Sequence, residues 1–285
     1  MTPWIAAARP KTLAAAVVPV MIGAALAPRP LHWGLLFFTL AGAVLIQIGT
    51  NFVNDALDFK KGADTGERLG PLRVTAAGLL SHEAVMRGAY VCFALAALCG
   101  IPLILRGGWP LLAIGVTSIL AAYAYTGGPY PLAYHGLGEL FVMLFFGVIA
   151  VGGTYYVQAL AWPLDAVIGG VAAGSLAIVI LAINNLRDLP NDAAAHKRTL
   201  AVRFGERFAR AEIAFFAFLP FVCTAILFFR RRQQGMPLPM LAVILAAALL
   251  RRVGRSSGRE LNGCLAMAGG LDWAFGILFV IGSLL

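Results

Sequence analysis

The chain has 285 residues, of which 60% are hydrophobic and only 12% are charged. Its mean hydropathy of +0.85 excludes a soluble globular domain and predicts an integral membrane protein in a lipid bilayer. The net charge of +9 would suit nucleic acid, but the basic residues lie between apolar runs, as membrane topology requires. We therefore expect no nucleic-acid partner.

About nine apolar runs follow one another, each near the length that a helix needs to cross the hydrocarbon core. Their continuity favours helices, because membrane strands alternate apolar and polar residues. We predict an all-α, polytopic bundle of about nine transmembrane helices that forms one domain, 1–285. The runs lie near 13–28, 33–54, 85–105, 109–126, 138–160, 164–185, 211–229, 236–250 and 264–285.

The basic residues are distributed unevenly between the two ends of this bundle. If the N-terminus is cytoplasmic, most of the 22 Lys and Arg residues fall in cytoplasmic segments, as the positive-inside rule expects. The arginines at 230–232 are an exception, because they fall on the outer side. The pattern predicts a multi-pass protein of the cytoplasmic (inner) membrane, with the segments 55–87 and 186–210 facing the cytoplasm.

The second apolar run ends in NFVNDALDFKKGAD, residues 51–64. Asn51 and Asp55 are four residues apart, as are Asn54 and Asp58. Side chains at this spacing lie on one face of a helix, so one helix end can direct all four at a single site.

The sixth run ends in NNLRDLPND, residues 184–192, and has the same character. Asn184 and Asn185 precede Asp188 and Asp192, and Pro190 predicts that the helix bends or restarts. Both motifs follow an even-numbered run, which places them at the same membrane face. We therefore interpret them as two halves of one site.

Cationic residues follow each acidic motif. Paired carboxylates suit Mg²⁺, which completes its shell with water and phosphate oxygens, and Arg or Lys neutralises the remaining phosphate charge. A charged loop in a membrane protein is often only a solvated cap, but the duplication favours a magnesium and diphosphate site. The cations are Lys60, Lys61, Arg68 and Arg73 after the first motif, and Lys197, Arg198, Arg203 and Arg207 after the second.

These motifs resemble the two aspartate-rich motifs of the UbiA superfamily of intramembrane aromatic prenyltransferases. Four further segments are similar to the branch that prenylates 1,4-dihydroxy-2-naphthoate in menaquinone biosynthesis: RPKTLAAAVVPVMIG, RLGPLRVTAAGLLS, YTGGPYPLAYHGLGE and GGTYYVQ. The resemblance runs from about residue 4 to 210. It departs from the family pattern at Gly62, where a third acid is common and the next acid is Asp64, and at His196, where glycine is frequent.

The resemblance implies an Mg-dependent aromatic polyprenyltransferase with its active site at the cytoplasmic face. Such an enzyme would transfer a polyprenyl group from an allylic polyprenyl diphosphate to 1,4-dihydroxy-2-naphthoate, releasing pyrophosphate and CO₂ to give demethylmenaquinol. The expected metal ligands are Asp55, Asp58, Asp188 and Asp192. The expected diphosphate-binding residues are Asn51, Asn54, Lys61, Arg68, Arg73, Asn184, Asn185, Lys197 and Arg198.

Other residues are candidates for the acceptor side of the reaction. Asp64 or Tyr125 could deprotonate a ring hydroxyl. Arg9 or Lys11 could hold the acceptor carboxylate, or simply anchor the first helix at the inner face.

An apolar or aromatic wall must also keep water from the allylic cation. The fifth run offers Phe141, Phe145 and Phe146, but we favour Tyr155 and Tyr156 with Gln158. Ordinary core or lipid-facing packing would explain each of these aromatic residues equally well.

Two other functions remain open. A prenyltransferase of the same superfamily could act on another aromatic acceptor, such as homogentisate or a hydroxybenzoate. An ion-coupled transporter also carries acids in its membrane segments, but its sites lie near the bilayer midplane. Here the acids gather at helix ends on one side, which favours the enzyme.

Overall fold

The computed structural model describes residues 2–60, 69–70 and 73–285. Every regular element in these ranges is helical, which confirms the all-α prediction. Short 3₁₀ turns occur at Pro10–Thr12, Leu132–His135, Leu238–Ala242 and Gly258–Glu260. The helices are α1 Pro3–Ala8, α2 Ala14–Leu26, α3 Trp33–Lys60, α4 His82–Gly107, α5 Trp109–Ala124, α6 Gly138–Ala159, α7 Leu164–Arg187, α8 Leu189–Ala194, α9 Leu200–Arg231, α10 Val243–Val253 and α11 Leu261–Gly282.

Six helices in the described part of the chain are long and apolar enough to cross a membrane: α3, α4, α6, α7, α9 and α11. A seventh span results if Pro3–Thr12 and Ala14–Leu26 count as one helix bent by 47°. The predicted count of nine is not confirmed. Two of the predicted runs correspond to short helices, since α5 has 16 residues and α10 has 11.

Local sequence explains where several helices begin and end. The hydroxyl of Ser81 accepts a hydrogen bond from the Ala84 amide at 3.2 Å, and that of Thr199 accepts one from Val202 at 3.3 Å. Both are N-caps that satisfy amides with no partner inside the helix. Gly108, at φ 71°, separates α4 from α5 in a single residue. This tight break lets the two helices fold back as a hairpin.

The main core lies where α2, α7, α9 and α11 pack together. Leu176 and Ile183 on α7 and Ile213 on α9 are almost completely buried there. The start of α6 packs against α7 through a π-helical segment, Met143–Val148. A Cβ at Gly147 would lie 2.5 Å from the Gly170 carbonyl oxygen. Glycine therefore permits the close approach of α6 and α7.

The two ends of the bundle carry different residues. At one end the amide of His32 donates to Gln158 Oε1 at 2.7 Å, and Arg230 pairs with Asp165 at 2.7 Å. Arg231 caps the last turn of α2 by donating to the Leu26 carbonyl at 3.0 Å. Arg230 and Arg231, two of the three arginines that depart from the positive-inside rule, thus have partners at this end. The acidic motifs lie at the other end, where α3 and α7 terminate.

Candidate active site

A polar cavity of about 190 Å³ lies between the ends of α3 and α7 and the start of α6. Both acidic motifs contribute residues to its wall. The Thr126 hydroxyl, just after α5, donates to Asn54 Oδ1 at 2.6 Å and joins the wall. The charged and amide-bearing residues that line the cavity are Arg9, Gln47, Asn51, Asn54, Asp58, Arg73, Glu139, Asn184, Asn185, Arg187, Asp188 and Lys197.

The first motif uses its carboxylates to hold distant segments. Asp55 accepts hydrogen bonds from the backbone amides of Val74 at 3.2 Å and Thr75 at 2.9 Å. Asp58 accepts from Arg73 Nη2 at 3.0 Å and from the Tyr134 hydroxyl at 3.0 Å. Both aspartates are buried. Asp58 lines the cavity, whereas Asp55 is not among the lining residues and instead fixes the backbone at Val74 and Thr75.

The second motif begins where α7 ends. Asp188 interrupts the helix, and Pro190 lies in the first turn of the short helix α8, as the sequence predicts. The guanidinium of Arg187 forms a bidentate pair with Asp188, at 2.8 Å from Nε and 2.6 Å from Nη2. Its third nitrogen donates to Asn262 Oδ1 at 2.9 Å. Arg187 is 2% exposed, so this pair sets the orientation of Asp188.

Asn262 also connects the second motif to the segment that follows the first. Its Nδ2 donates to the carbonyl of Leu69 at 2.8 Å. Because Asn262 belongs to α11, the last long helix supports both halves of the site.

Asp192 and Lys197 complete the second half. Lys197 Nζ lies 3.4 Å from Asp192 Oδ1 and 5.7 Å from the centre of the Tyr134 ring. The other oxygen of Asp192, Oδ2, is buried and has no hydrogen-bond partner among the described residues. Asp192 therefore has one carboxylate oxygen that no described group engages, beside the cavity-lining Lys197.

Burial and charge shift the titration of these groups. Burial raises the pKa of the Asp192 carboxyl to about 6, although Lys197 opposes the shift. Burial lowers the pKa of the Lys197 ammonium, but the carboxylates of Asp192, Asp58 and Asp188 raise it by more, so it stays charged. Burial and then the charge of Asp58 raise the pKa of the Tyr134 hydroxyl. The hydroxyl therefore stays protonated and donates a hydrogen bond to Asp58.

The donor set fits a hard divalent cation that is only partly ligated by protein. Within the described residues, no three carboxylate, imidazole or thiolate groups meet as a preformed metal cage. Asp58 and Asp188 instead supply separated oxygens to a cavity lined by cations, and Asp192 lies beside Lys197 on its wall. Mg²⁺ is commonly held in this way, by a few carboxylates together with waters and phosphate oxygens.

An apolar chamber of about 200 Å³ adjoins the polar cavity. Gln47, Tyr125, Val142 and Phe146 line both, so the two spaces share a wall. Phe141 and Phe145 also line the apolar chamber, with ring centres 5.7 Å apart. The phenylalanines of α6, and not its tyrosines, therefore form the aromatic lining.

Several residues predicted from the sequence lie away from the cavity. Tyr155 packs against the main core, the Tyr156 hydroxyl donates to the Gly107 carbonyl at 3.3 Å, and Gln158 binds His32 at the opposite end. These three follow α6 to its far end, so the structure does not bring them to the motifs. A shared helix does not imply a shared site.

The remaining predicted residues divide into three groups. Arg9 and Tyr125 line the cavity, and Arg9 is held in a left-handed conformation with φ 51°. Lys11 is exposed, and Arg198 lies on a separate surface pocket beside His135 and Arg203. Asp64, Lys61 and Arg68 fall outside the described residues.

Glu139 and Arg187 are buried, line the cavity and were missed as site residues. A signal existed for each, because a charged residue beside an apolar membrane run is costly unless it is used. Arg187 stands next to Asp188 in the second motif. Glu139 ends the segment GLGE at the start of the fifth run.

The model of the UbiA prenyltransferase family matches residues 16–267. The chain belongs to the UbiA prenyltransferase family. The match covers both acidic motifs and most of the helices around the two chambers.

Curated relatives in this family extend the comparison. The 1,4-dihydroxy-2-naphthoate octaprenyltransferase of Mycobacterium tuberculosis is 43% identical over 206 residues, covering 71% of this chain and 70% of the relative. The Escherichia coli protein of the same name is 36% identical over 269 residues, covering 91% and 86%.

Solved UbiA structures share the fold at low sequence identity. A homologue from Archaeoglobus fulgidus, bound to GPP and Mg²⁺, has a TM-score of 0.69 at 15% identity and covers 99% of this chain and all of that one. A homologue from Aeropyrum pernix has a TM-score of 0.72 at 14% identity, covering 95% and 96%. The helical arrangement is thus that of the UbiA family over nearly the whole chain.

Proposed function

We propose that this UbiA-family protein transfers a polyprenyl group from an allylic polyprenyl diphosphate to 1,4-dihydroxy-2-naphthoate, releasing pyrophosphate and CO₂ and giving demethylmenaquinol for menaquinone biosynthesis. The observation that carries the proposal is the polar cavity that shares a wall with an apolar chamber. A polyprenyl diphosphate has these same two parts. The relatives with the naphthoate activity in their names support the choice of acceptor.

The diphosphate would lie in the polar cavity. Asp58, Asp188 and Asp192 would hold Mg²⁺, which when bound supplies positive charge to the diphosphate leaving group. Arg73, Arg187 and Lys197 border the same space. Each now pairs with one of these aspartates. A diphosphate would accept hydrogen bonds from these cations as charge develops on the leaving oxygen.

Amide side chains would orient the bound diphosphate. Asn51 donates to the Ala8 carbonyl at 2.9 Å, which fixes it at the end of α1. Asn54, Asn184 and Asn185 line the same wall. Asp55 would act indirectly, because both its oxygens anchor the backbone beside Arg73.

The prenyl chain would occupy the apolar chamber, where Phe141, Phe145 and Phe146 shield the allylic cation from water. Aromatic faces also stabilise a cation through their quadrupole. Arg9, at the polar end, would pair with the acceptor carboxylate. Tyr125, which lines both chambers, would contact the acceptor ring between them.

The predicted membrane orientation belongs to the same proposal. The described cations Arg73 and Lys197 accompany the acidic end of the bundle, in the segments that the positive-inside rule assigns to the cytoplasm. The site would therefore face the cytoplasm, in the inner membrane of the cell.

The proposal is tested with purified protein in detergent or liposomes, Mg²⁺ and a labelled polyprenyl diphosphate. The acceptor is 1,4-dihydroxy-2-naphthoate carrying a carboxyl label, and homogentisate and 4-hydroxybenzoate run in parallel. We expect a prenylated naphthoquinol, release of labelled CO₂ and loss of both with EDTA. Product with another acceptor only would overturn the naphthoate assignment, and no product with any acceptor would overturn prenyl transfer.

A further inference from the structure

Glu139 is a buried acid on the wall of the polar cavity, at the start of α6. Its side chain is held in place, because Asn185 Nδ2 donates to Oε1 at 2.9 Å. The other oxygen, Oε2, is buried and has no hydrogen-bond partner among the described residues. A buried carboxylate oxygen without a donor is costly, so a polar partner in the cavity is expected.

The position of Glu139 relates it to the reacting atoms. Val142 lies three residues further along α6, on the same helical face, and lines both chambers. Tyr125, which also lines both, packs against the same turn, since a Cβ at Gly138 would lie 3.2 Å from its hydroxyl. Glu139 therefore stands where the polar cavity meets the apolar chamber. In the proposed function, the allylic C–O bond and the acceptor ring meet at this boundary.

We propose that Glu139 binds a ring hydroxyl of the aromatic acceptor through Oε2 and takes its proton during prenyl transfer. The inference rests on the proposed function and identifies the base for that reaction. Its observations are the buried oxygen without a hydrogen-bond partner among the described residues, the Asn185 hydrogen bond and the boundary position. Asp58 and Asp188, by contrast, already accept hydrogen bonds from Arg73 and Arg187.

The proposed step balances in protons and electrons without a further reagent. The Glu139 carboxylate takes the hydroxyl proton, and the O–H bonding pair moves into the ring. A ring carbon forms a bond to the allylic carbon while the C–O bond breaks, and that pair leaves with the diphosphate. The carboxylate on the ring then leaves as CO₂ and its bonding pair stays in the ring, which restores aromaticity. Glu139 finally returns its proton to the ring oxygen.

Several groups on the surrounding elements set the charge around Glu139. The titratable and charged groups on the elements packed around it are Tyr125, Tyr134, His135, Arg187, Lys197 and Glu212.

The test compares Glu139→Gln with Glu139→Asp in the prenylation assay. The glutamine keeps the shape and the acceptor for Asn185 but cannot take a proton. The aspartate changes the shape and keeps the carboxylate. We expect the glutamine variant to lose about 10²–10³-fold in kcat/KM for the acceptor at neutral pH, in the range of general-base catalysis. The aspartate variant should retain more activity than the glutamine variant.

The pH profile separates a base from a structural residue. Raising the pH ionises the acceptor hydroxyl in solution, so the deficit of Glu139→Gln should shrink as pH rises, while the KM for the prenyl diphosphate stays within about twofold of wild type. Asp272→Asn is the matched control, because Asp272 is a buried acid on α11 that does not line the polar cavity. It should leave the pH profile unchanged.

Four results would count against the inference. Wild-type turnover in Glu139→Gln, or a deficit that does not change with pH, would overturn the role of Glu139 while leaving the proposed function intact. Glutamine outperforming aspartate would indicate a role in packing. No product from the wild-type protein with any phenolic acceptor would overturn the proposed function itself.

Discussion

The two acidic motifs look alike in the sequence but make different contacts. Asp55 and Asp58 in the first motif direct all four carboxylate oxygens at partners 15 to 76 residues away. In the second motif, Asp188 pairs with its neighbour Arg187, and Asp192 pairs with Lys197. The first motif binds distant loop segments at 73–75 and 134, whereas the acids of the second motif pair with nearby cations. Similar spacing places the side chains on one helical face, but the groups that they contact determine the role of each.

The largest effect is expected where the first motif both ties a loop and lines the cavity. Asp58→Asn removes the charge that binds Arg73 while preserving the side-chain shape. We expect turnover to fall by at least about 10²-fold, since a preorganised charge at the reacting group is lost. Breaking the buried ion pair should also reduce the free energy of unfolding by about 3–5 kcal/mol.

Steady-state turnover and thermal unfolding in detergent would measure both effects. Asp165→Asn, which breaks the partly exposed pair with Arg230 at the far end, is the matched control and should leave turnover near wild type. Full activity in Asp58→Asn would remove the first motif from the site.

The second motif should show a pH dependence of stability that centres on Asp192. Its folded pKa of about 6 lies above the usual value near 3.9. Its stabilising contribution is therefore complete at low pH and is lost as pH rises through about 6. Asp192→Asn stays neutral, so the wild type should lose about 2–3 kcal/mol relative to this variant between pH 4 and 7.5.

Thermal unfolding of the protein without added Mg²⁺, measured across this pH range, would test the prediction. Asp165→Asn again serves as control and should follow the wild-type profile. Parallel profiles for wild type and Asp192→Asn would show that Asp192 does not titrate in this range.

A smaller effect is expected where the two motifs are joined. Asn262→Ala removes the bridge from Arg187 to the Leu69 carbonyl, and leaving buried polar groups unsatisfied costs about 1–3 kcal/mol. We expect the KM for the prenyl diphosphate to rise several-fold and kcat to change less.

Asn262→Asp separates the two contacts. The aspartate still accepts from Arg187 but cannot donate to Leu69, so its KM should lie between those of wild type and the alanine variant. If the KM of the aspartate variant were as high as that of the alanine variant, loss of the Leu69 contact alone would explain the rise.

The smallest effect is expected at the far end of α6. Gln158→Ala removes the amide that binds His32, and Tyr156→Phe removes the hydroxyl that binds Gly107, both away from the cavity. Turnover and the KM for the acceptor should each stay within about twofold of wild type, because neither group reaches the reacting atoms. A tenfold rise in the acceptor KM in either variant would show that the residue contributes to acceptor binding.

Much of this could be predicted from the sequence because it depends on local pattern. Apolar length and continuity predicted a helical membrane protein, and the four-residue spacing of Asn and Asp predicted two polar helix ends. The family resemblance rested on contiguous segments such as NDALD and DLPND. The number of spans was less predictable, because the apolar runs near 109–126 and 236–250 form only the short helices α5 and α10.

The tertiary structure decided which groups share the site. Tyr156 and Glu139 belong to the same helix, yet only Glu139 lines the polar cavity, because α6 carries Tyr156 to the opposite end of the bundle. Asp55 and Asp58 are one turn apart, yet one anchors backbone amides and the other lines the cavity. Residues such as Asn185, 46 positions from Glu139, meet only through packing. The sequence determined which residues carry charge, and long-range packing determined which of them face the same space.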